Sequence, residues 1–170
     1  MEKYGFLMVD YNTPDFIKEL QSSIPKDELY EPNDDPNGFK YGIENETHVT
    51  IAPCLNNDTK LWRLKLMLMP LSEYKAKLDN ISVFRNKDFD VLKCDVISEA
   101  LLLTNNLITS AFETHSEFNE YHPHVTIAYL KKGNADKYTK DSIKHDMILT
   151  PSNFTWSNYE GDTIKRTIWK

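Results

Sequence analysis

One five-residue segment constrains this sequence more than any other feature: His-Val-Thr-Ile-Ala occurs twice without a change, at residues 48–52 and 124–128. An identical pentapeptide repeat in a chain this short is expected by chance well under about one time in a hundred. Valine, threonine and isoleucine are β-branched and fit a pleated, half-buried surface, so each copy predicts a β-strand. The fold therefore has to contain two strands of the same local design.

Alternation along a strand decides which side chains of the repeat share a face. His48 and Thr50 lie on one face of the first copy, and His124 and Thr126 on one face of the second. The valine and isoleucine between them point to the opposite face and anchor each strand. Two such strands set side by side would line one cleft with two imidazoles and two hydroxyls.

Length and charge limit the classes of protein to which the chain can belong. Its 170 residues predict a single domain, 1–170, and its net charge of −6 disfavours a grip on long nucleic acid, which usually needs many lysines and arginines. A small phosphorylated ligand needs only a local positive site. Because we find no signal-peptide or membrane-span pattern and only two cysteines, we expect a cytoplasmic protein with no membrane partner.

The rest of the chain alternates strand and helix patterns, which gives a pseudo-twofold α+β order. Thr13 is the expected cap of the first helix, with Pro14 at its first position. The stretch from 26 to 45 predicts a long loop whose place before the first repeat suits a lid. Besides the repeats, strands are predicted at 4–11, 81–84, 89–92, 154–159 and 163–169, and helices at 13–23, 58–69, 98–112 and 136–144.

Two imidazoles and two hydroxyls suit the cleavage of a phosphodiester that lies next to a ribose hydroxyl. Histidine can remove or deliver a proton near neutral pH, and threonine can donate hydrogen bonds to the phosphoryl oxygens. His122 and His124 form a His-x-His pair that could bind a metal. The carboxylate or cysteine partners with ligand spacing are missing, so we expect neither a metal nor a cofactor.

The two His-x-Thr-x motifs, 48–51 and 124–127, together resemble those of the two-histidine phosphoesterase superfamily. The resemblance implies a bilobal α+β fold, with two pseudo-symmetric βα lobes whose antiparallel sheets line a central cleft. It also implies metal-independent phosphodiester cleavage by His48, Thr50, His124 and Thr126 as the catalytic residues. Superfamily members include 2′,5′- and 3′-end RNA phosphodiesterases and cyclic phosphodiesterases.

Within that superfamily, the short length and the segments 46–51 and 123–128 look most like phage anti-CBASS nucleases. This likeness implies a small cyclic oligonucleotide as substrate and the cytoplasm of an infected bacterium as the location. In such nucleases aromatic and acidic residues hold the bases, and Tyr11 and Glu160 are the expected ones here. An RNA-end phosphodiesterase and a non-catalytic nucleotide sponge are the alternatives. Ring size, base preference, oligomeric state and the base and acid roles of the two histidines stay open.

Overall fold

Both copies of the repeat begin a strand in the computed structural model, which describes residues 4–32, 40–115, 120–140, 143, 147–160 and 163–170. Short 3-10 turns occupy 26–28, 71–74 and 136–140. The elements, in chain order, are β1 (Tyr4–Tyr11), α1 (Asp15–Ser23), β2 (His48–Asn56), α2 (Leu61–Leu66), β3 (Ala76–Arg85), β4 (Phe89–Ile97), α3 (Glu99–Ala111), β5 (His124–Lys131), β6 (Ile148–Leu149), β7 (Pro151–Glu160) and β8 (Thr163–Trp169).

The strands form two antiparallel sheets of four strands each. Sheet I has the order β2-β1-β7-β8, and sheet II has the order β5-β4-β3-β6. In both, the repeat strand lies at one edge and pairs with the strand that precedes the connecting helix, so β1-α1-β2 matches β4-α3-β5. The expected α+β fold of two pseudo-symmetric lobes with antiparallel sheets is confirmed.

The two copies of the repeat also fold alike in detail. Each contains a β-bulge, because one extra residue of the repeat strand stands between two successive pairs with its neighbour. The extra residue is Ile51 in β2 and Ile127 in β5. The valine and isoleucine of each copy have no exposed surface, whereas the histidines and threonines are half-buried. The predicted anchoring face is therefore the buried one.

Each connecting helix packs across to the repeat strand of the other sheet. Helix α3 contacts β2, and α1 contacts β5. The buried apolar side chains of both sheets belong to one cluster, to which α3 contributes Leu101 and Ile108. This exchange of helices brings the edges of β2 and β5 together at the centre of the molecule, where the two strands contact each other.

Helix boundaries depart from the sequence prediction in three places. Helix α1 has Pro14 in its N-cap position, and the Thr13 hydroxyl does not cap it but hydrogen-bonds to the Thr47 hydroxyl at 2.8 Å. Helix α2 covers only 61–66 of the predicted 58–69, and its Trp62 is 62% exposed, so the apolar run is less buried than expected. The predicted helix at 136–144 is a 3-10 turn over 136–140; residues 141, 142 and 144 lie outside the described residues.

The predicted loop at 26–45 is attached to sheet II at both of its ends. Leu29 forms a bridge with Leu130, and Ile43 forms a bridge with Ala128, both on the outer edge of β5. Residues 33–39, where a lid would lie, are outside the described residues. None of the helices in the described segments has the length and apolar character needed to cross a bilayer.

Candidate active site

The two repeated histidines are held by the same backbone contact. The Nδ1 atom of His48 lies 3.0 Å from the carbonyl oxygen of Glu46, and Nδ1 of His124 lies 2.8 Å from that of His122. A carbonyl oxygen only accepts, so Nδ1 carries the proton in each ring. Nε2 then holds the lone pair of each neutral imidazole and the second proton of each imidazolium.

The environment of His124 favours its neutral form. Burial is the largest cause and lowers the pKa of His124, and the charges of Lys93 and His48 lower it further. The hydrogen bond to His122 and the carboxylate of Asp95 act in the opposite direction, without reversing the net shift. The contribution of His48, which lies on the other sheet, indicates that its imidazole is near that of His124.

The two threonines of the repeat have different surroundings. Thr50 lines a cavity of about 690 Å³ together with His124, whereas neither His48 nor Thr126 is among the residues that line it. The Thr126 hydroxyl hydrogen-bonds to the phenol of Tyr129, whose pKa is raised, mainly by burial. The structure thus brings the two repeats to one region but gives their hydroxyls unequal neighbours.

Aromatic and amide side chains that were not predicted as site residues form part of the wall of this cavity. The ring of Phe84 meets that of His124 edge to face, with centroids 4.8 Å apart. The Tyr121 hydroxyl donates a 2.8 Å hydrogen bond to the carbonyl oxygen of Thr50. The cavity's volume lies within the ~300–1,000 Å³ of typical ligand pockets. Besides Thr50, Phe84, Tyr121 and His124, it is lined by Phe6, Pro53, Leu102, Asn105, Asn106, Thr109, Thr114, Glu120 and His122.

An amide side chain holds the bulge of each repeat. Asn105 on α3 donates a 2.7 Å hydrogen bond to the carbonyl oxygen of Ile51, and Gln21 on α1 donates one of 3.1 Å to that of Ile127. Because each helix reaches the other sheet, these two bonds join the lobes across the cleft. The amides thereby fix the strand segments that carry the histidines.

A carboxylate lies opposite each histidine on the neighbouring strand. Asp10 on β1 pairs in register with His48, and Asp95 on β4 pairs with His124. Each carboxylate is held by an asparagine and a hydroxyl: Asp10 accepts hydrogen bonds from Asn153 and from Thr155 at 2.6 Å, and Asp95 accepts them from Asn80 at 3.2 Å and from Ser82 at 2.8 Å. No local sequence pattern indicates these aspartates, because only the pairing of the strands places them beside the repeats.

A smaller cavity of about 330 Å³ lies beside the start of β2 in sheet I. Arg166 on β8 lines it and is paired with Glu46 at 2.5 Å. Tyr11 forms part of its wall, but its ring is buried and its hydroxyl donates a 2.7 Å hydrogen bond to the Tyr74 carbonyl oxygen. The cavity is lined by Asp10, Tyr11, Thr13, Asn45, Glu46, Thr47, Asn153, Thr155, Arg166 and Ile168.

Glu160 lies at the end of β7, where its exposed carboxylate is paired with Lys165 at 2.8 Å. It is not among the residues that line either cavity. Tyr11 borders the smaller cavity, and its backbone N–H donates a 2.8 Å hydrogen bond to the carbonyl oxygen of Thr47, the residue before His48. The roles of Tyr11 and Glu160 in substrate binding stay predictions.

The acidic and imidazole groups near the cleft do not form a metal-binding cluster in the described part of the chain, where no three His, Cys, Asp or Glu side chains converge. His122, half of the His-x-His pair, instead lies 3.6 Å from the carboxylate of Glu120.

No protein-family model matches this sequence, and a comparison with curated proteins finds no match. Among solved structures, the chain is similar to E. coli LigT complexed with 3′-AMP, with a TM-score of 0.52 and 15% identity over 100% of this chain and 97% of that one. This chain shares the fold of LigT. A structure described as a phosphoesterase gives a TM-score of 0.49 and 14% identity, covering 100% of this chain and 97% of its own.

Proposed function

We propose that this protein is a two-histidine phosphodiesterase that cleaves ribonucleotide linkages by attack of the adjacent 2′-hydroxyl. The observation that supports this most strongly is the matched orientation of His48 and His124, each with Nδ1 bound to a carbonyl oxygen two residues earlier. Both rings thereby keep Nε2 for proton transfer. A purely structural role would not require two histidines on separate sheets to have the same backbone contact.

The proposed reaction needs only groups that the chain and the substrate supply. One imidazole accepts the proton of the ribose 2′-hydroxyl, and the 2′-oxygen attacks the neighbouring phosphorus. The bond from phosphorus to the 5′-oxygen breaks, and the other imidazole protonates the departing oxygen. Hydroxyls of Thr50 and Thr126 donate to the phosphoryl oxygens as charge develops there. Water then opens the 2′,3′-cyclic phosphate to a 3′-phosphate.

We further propose small cyclic oligonucleotides as the substrates. The larger cavity is lined by Phe84 and Tyr121, aromatic residues of the kind on which bases stack, and the second cavity lies beside the other histidine strand. The net charge of −6 suits a small ligand better than a long polymer. The resemblance of both motif segments to phage anti-CBASS nucleases adds to this choice and would place the activity in an infected bacterial cell.

An RNA-end phosphodiesterase is the second candidate, and the comparison with LigT favours it. LigT was crystallised with 3′-AMP, a nucleoside 3′-phosphate of the kind that the proposed reaction releases. Such an enzyme would act on linear RNA with free ends, whereas the first candidate would act on closed rings. The form of the substrate therefore separates the two.

The test is a panel of cyclic di-, tri- and tetranucleotides and linear oligoribonucleotides, analysed by mass after incubation. We expect cyclic substrates to gain one water and linear RNA to survive longer. Cleavage of linear RNA alone would support the second candidate, and recovery of intact rings from a tight complex would indicate a sponge.

The double variant His48→Asn, His124→Asn is the inactive reference for that panel, and His115→Asn is its matched control. His115 stacks on Tyr4 with centroids 4.8 Å apart and lines neither cavity, so the control keeps one histidine substitution away from the site. We expect the control to retain activity. Each reaction is repeated in excess chelator, where we expect no loss; restoration of a lost activity by a divalent ion would contradict the metal-free mechanism.

A further inference from the structure

The pseudo-twofold symmetry of the site is broken in charge beside the threonines of the two repeats. In sheet I the residue paired with Thr50 is Met8, and in sheet II the residue paired with Thr126 is Lys93. Histidine, threonine and aspartate all have counterparts in both lobes, but the cation has none at this place. The difference is one of charge, since the two side chains are of similar length.

Lys93 is enclosed beside His124. The residue is only 4% exposed, and its Nζ donates to the Ser82 hydroxyl at 2.7 Å and to the carboxylate of Asp95. The same Nζ lies 4.2 Å from the centroid of the Phe84 ring, which also contacts the His124 ring edge to face. Lysine, hydroxyl, carboxylate and aromatic ring thus form one connected cluster, and its aromatic ring contacts the histidine.

The fold itself does not account for this lysine. A buried ion pair seldom stabilises a protein more than well-packed apolar side chains would. The other lobe fills the same register position with Met8, which shows that this strand geometry accepts an apolar residue. Burying the Lys93 ammonium costs desolvation free energy, so its presence indicates a role in the chemistry of the neighbouring His124.

The carboxylates that lie opposite the two histidines have different partners. Burial is the largest single influence on the pKa of Asp95 and raises it, but the hydrogen bonds from Lys93, Ser82 and Asn80 and the charge of Lys93 together lower that pKa and favour the ionised form. Its charge is compensated by the lysine. The described partners of Asp10, in contrast, are the neutral side chains of Asn153 and Thr155.

We propose that Lys93 is a positioning residue that keeps His124 neutral, so that His124 is the general base and His48 the general acid of the first step. The Nε2 atom of His124 takes the proton of the 2′-hydroxyl as the 2′-oxygen bonds to phosphorus. The bond to the 5′-oxygen breaks, and His48 delivers its Nε2 proton to that oxygen. The products are a 2′,3′-cyclic phosphate and a 5′-hydroxyl, with the proton count unchanged. The assignment rests on the proposed function.

The titration of His124, followed by NMR of its imidazole, tests the role of the lysine without requiring turnover. Other titratable groups near this ring are His48 on β2 and the Glu120 and His122 pair before β5. We expect Lys93→Met to raise the midpoint of His124 by about one pH unit, because the cation is lost and Asp95 is no longer compensated.

Three matched variants make this test specific. Lys93→Arg keeps the charge and should leave the midpoint of His124 in place. Asp95→Asn leaves the lysine uncompensated and should lower the midpoint. The pair Lys93→Met with Asp95→Asn removes both charges and should return it near the wild-type value, even if Lys93→Met alone folds poorly. A midpoint that stays fixed or falls in a folded Lys93→Met protein would overturn the proposal.

A substrate with a better leaving group tests the assignment of acid and base. A ribonucleoside 3′-(4-nitrophenyl phosphate) releases a phenolate that needs no protonation. We expect His48→Asn to lose about 10²–10⁴-fold activity on a dinucleotide linkage but less than about 10-fold on this ester. His124→Asn should be equally impaired on both. The reverse pattern would overturn the assignment, whereas an inactive wild type would refute the proposed function and leave the NMR result to decide the role of Lys93.

Discussion

Loss of the amide that holds the first bulge should be more damaging than loss of its counterpart in the second. The Asn105 side chain is buried and donates a hydrogen bond to the Ile51 carbonyl oxygen. Among the described residues, it is the donor to this oxygen that comes from outside the sheet. The Ile127 oxygen accepts from Gln21 and also from the Glu44 amide at 3.1 Å. Asn105→Ala therefore removes a contact that has no substitute, and Gln21→Ala removes one of two.

The size of the difference follows from the cost of leaving a buried carbonyl without its donor. Breaking one side of a buried hydrogen bond costs about 1–3 kcal/mol, and alanine returns about 0.5 kcal/mol of helix propensity. We therefore expect Asn105→Ala to lower the free energy of unfolding by about 1–2 kcal/mol and Tm by about 4 °C. For Gln21→Ala, with a second donor in place, we expect a loss of about 0.5 kcal/mol.

Urea unfolding and thermal melts of the two variants measure these losses, with Asn106→Ala as the control. Asn106 is the exposed neighbour of Asn105 and lines the same cavity. The turnover number of Asn105→Ala should fall as well, because the bulge at Ile51 sets the direction of the strand that carries His48. Equal stability of the Asn105 and Asn106 variants would refute the idea that the amide holds the bulge.

Three further outcomes are expected. Because burial lowers the pKa of His124 and its neutral form is the proposed base, the acidic limb of kcat/KM against pH should lie below about 6.5, the ordinary imidazole value; a limb above it would contradict the assignment. Phe84→Leu should weaken nucleotide binding by about 10-fold, because one stacked base is lost. Calorimetric titration measures this affinity, and the Tm of the variant should stay near the wild-type value. Gly5→Ala should cost about 1–3 kcal/mol in urea unfolding, because its Cβ would lie 1.9 Å from the Trp156 ring; an unchanged midpoint would show that the ring yields.

Local patterns in the sequence predicted the parts of the fold that depend on local preferences. β-branched residues in alternation predicted both repeat strands, and the helical spacing at 98–112 predicted α3 nearly to its ends. The cap at Thr13 was wrong because its hydroxyl has a tertiary partner, Thr47, that competes with the helix. The predicted helix at 58–69 was too long because α2 exposes Trp62 and Leu66 and so gains little from burial.

Only the site residues that lie on the same strand could be predicted together from the sequence. His48 and Thr50 share a face by alternation, so their joint presentation could be inferred from residues two apart. Asp10 and Lys93 owe their places to the register between strands, which no local signal encodes. Phe84 comes from a third strand and reaches His124 only across sheet II. Residues contributed by pairing and packing were therefore the ones that sequence reasoning missed.

A duplicated scaffold suits the proposed two-step reaction because the proton roles are exchanged between the steps. After the first step His124 carries the proton taken from the 2′-hydroxyl, and His48 has become neutral. Opening of the cyclic phosphate then needs His48 to deprotonate water and His124 to protonate the departing 2′-oxygen. Two equivalent imidazoles can each act as base in one step and as acid in the other. Without a difference between their surroundings, however, either one would be equally often protonated before the first step. Lys93 in the place of Met8 supplies that bias, while the paired histidines, threonines and aspartates of the two lobes stay matched.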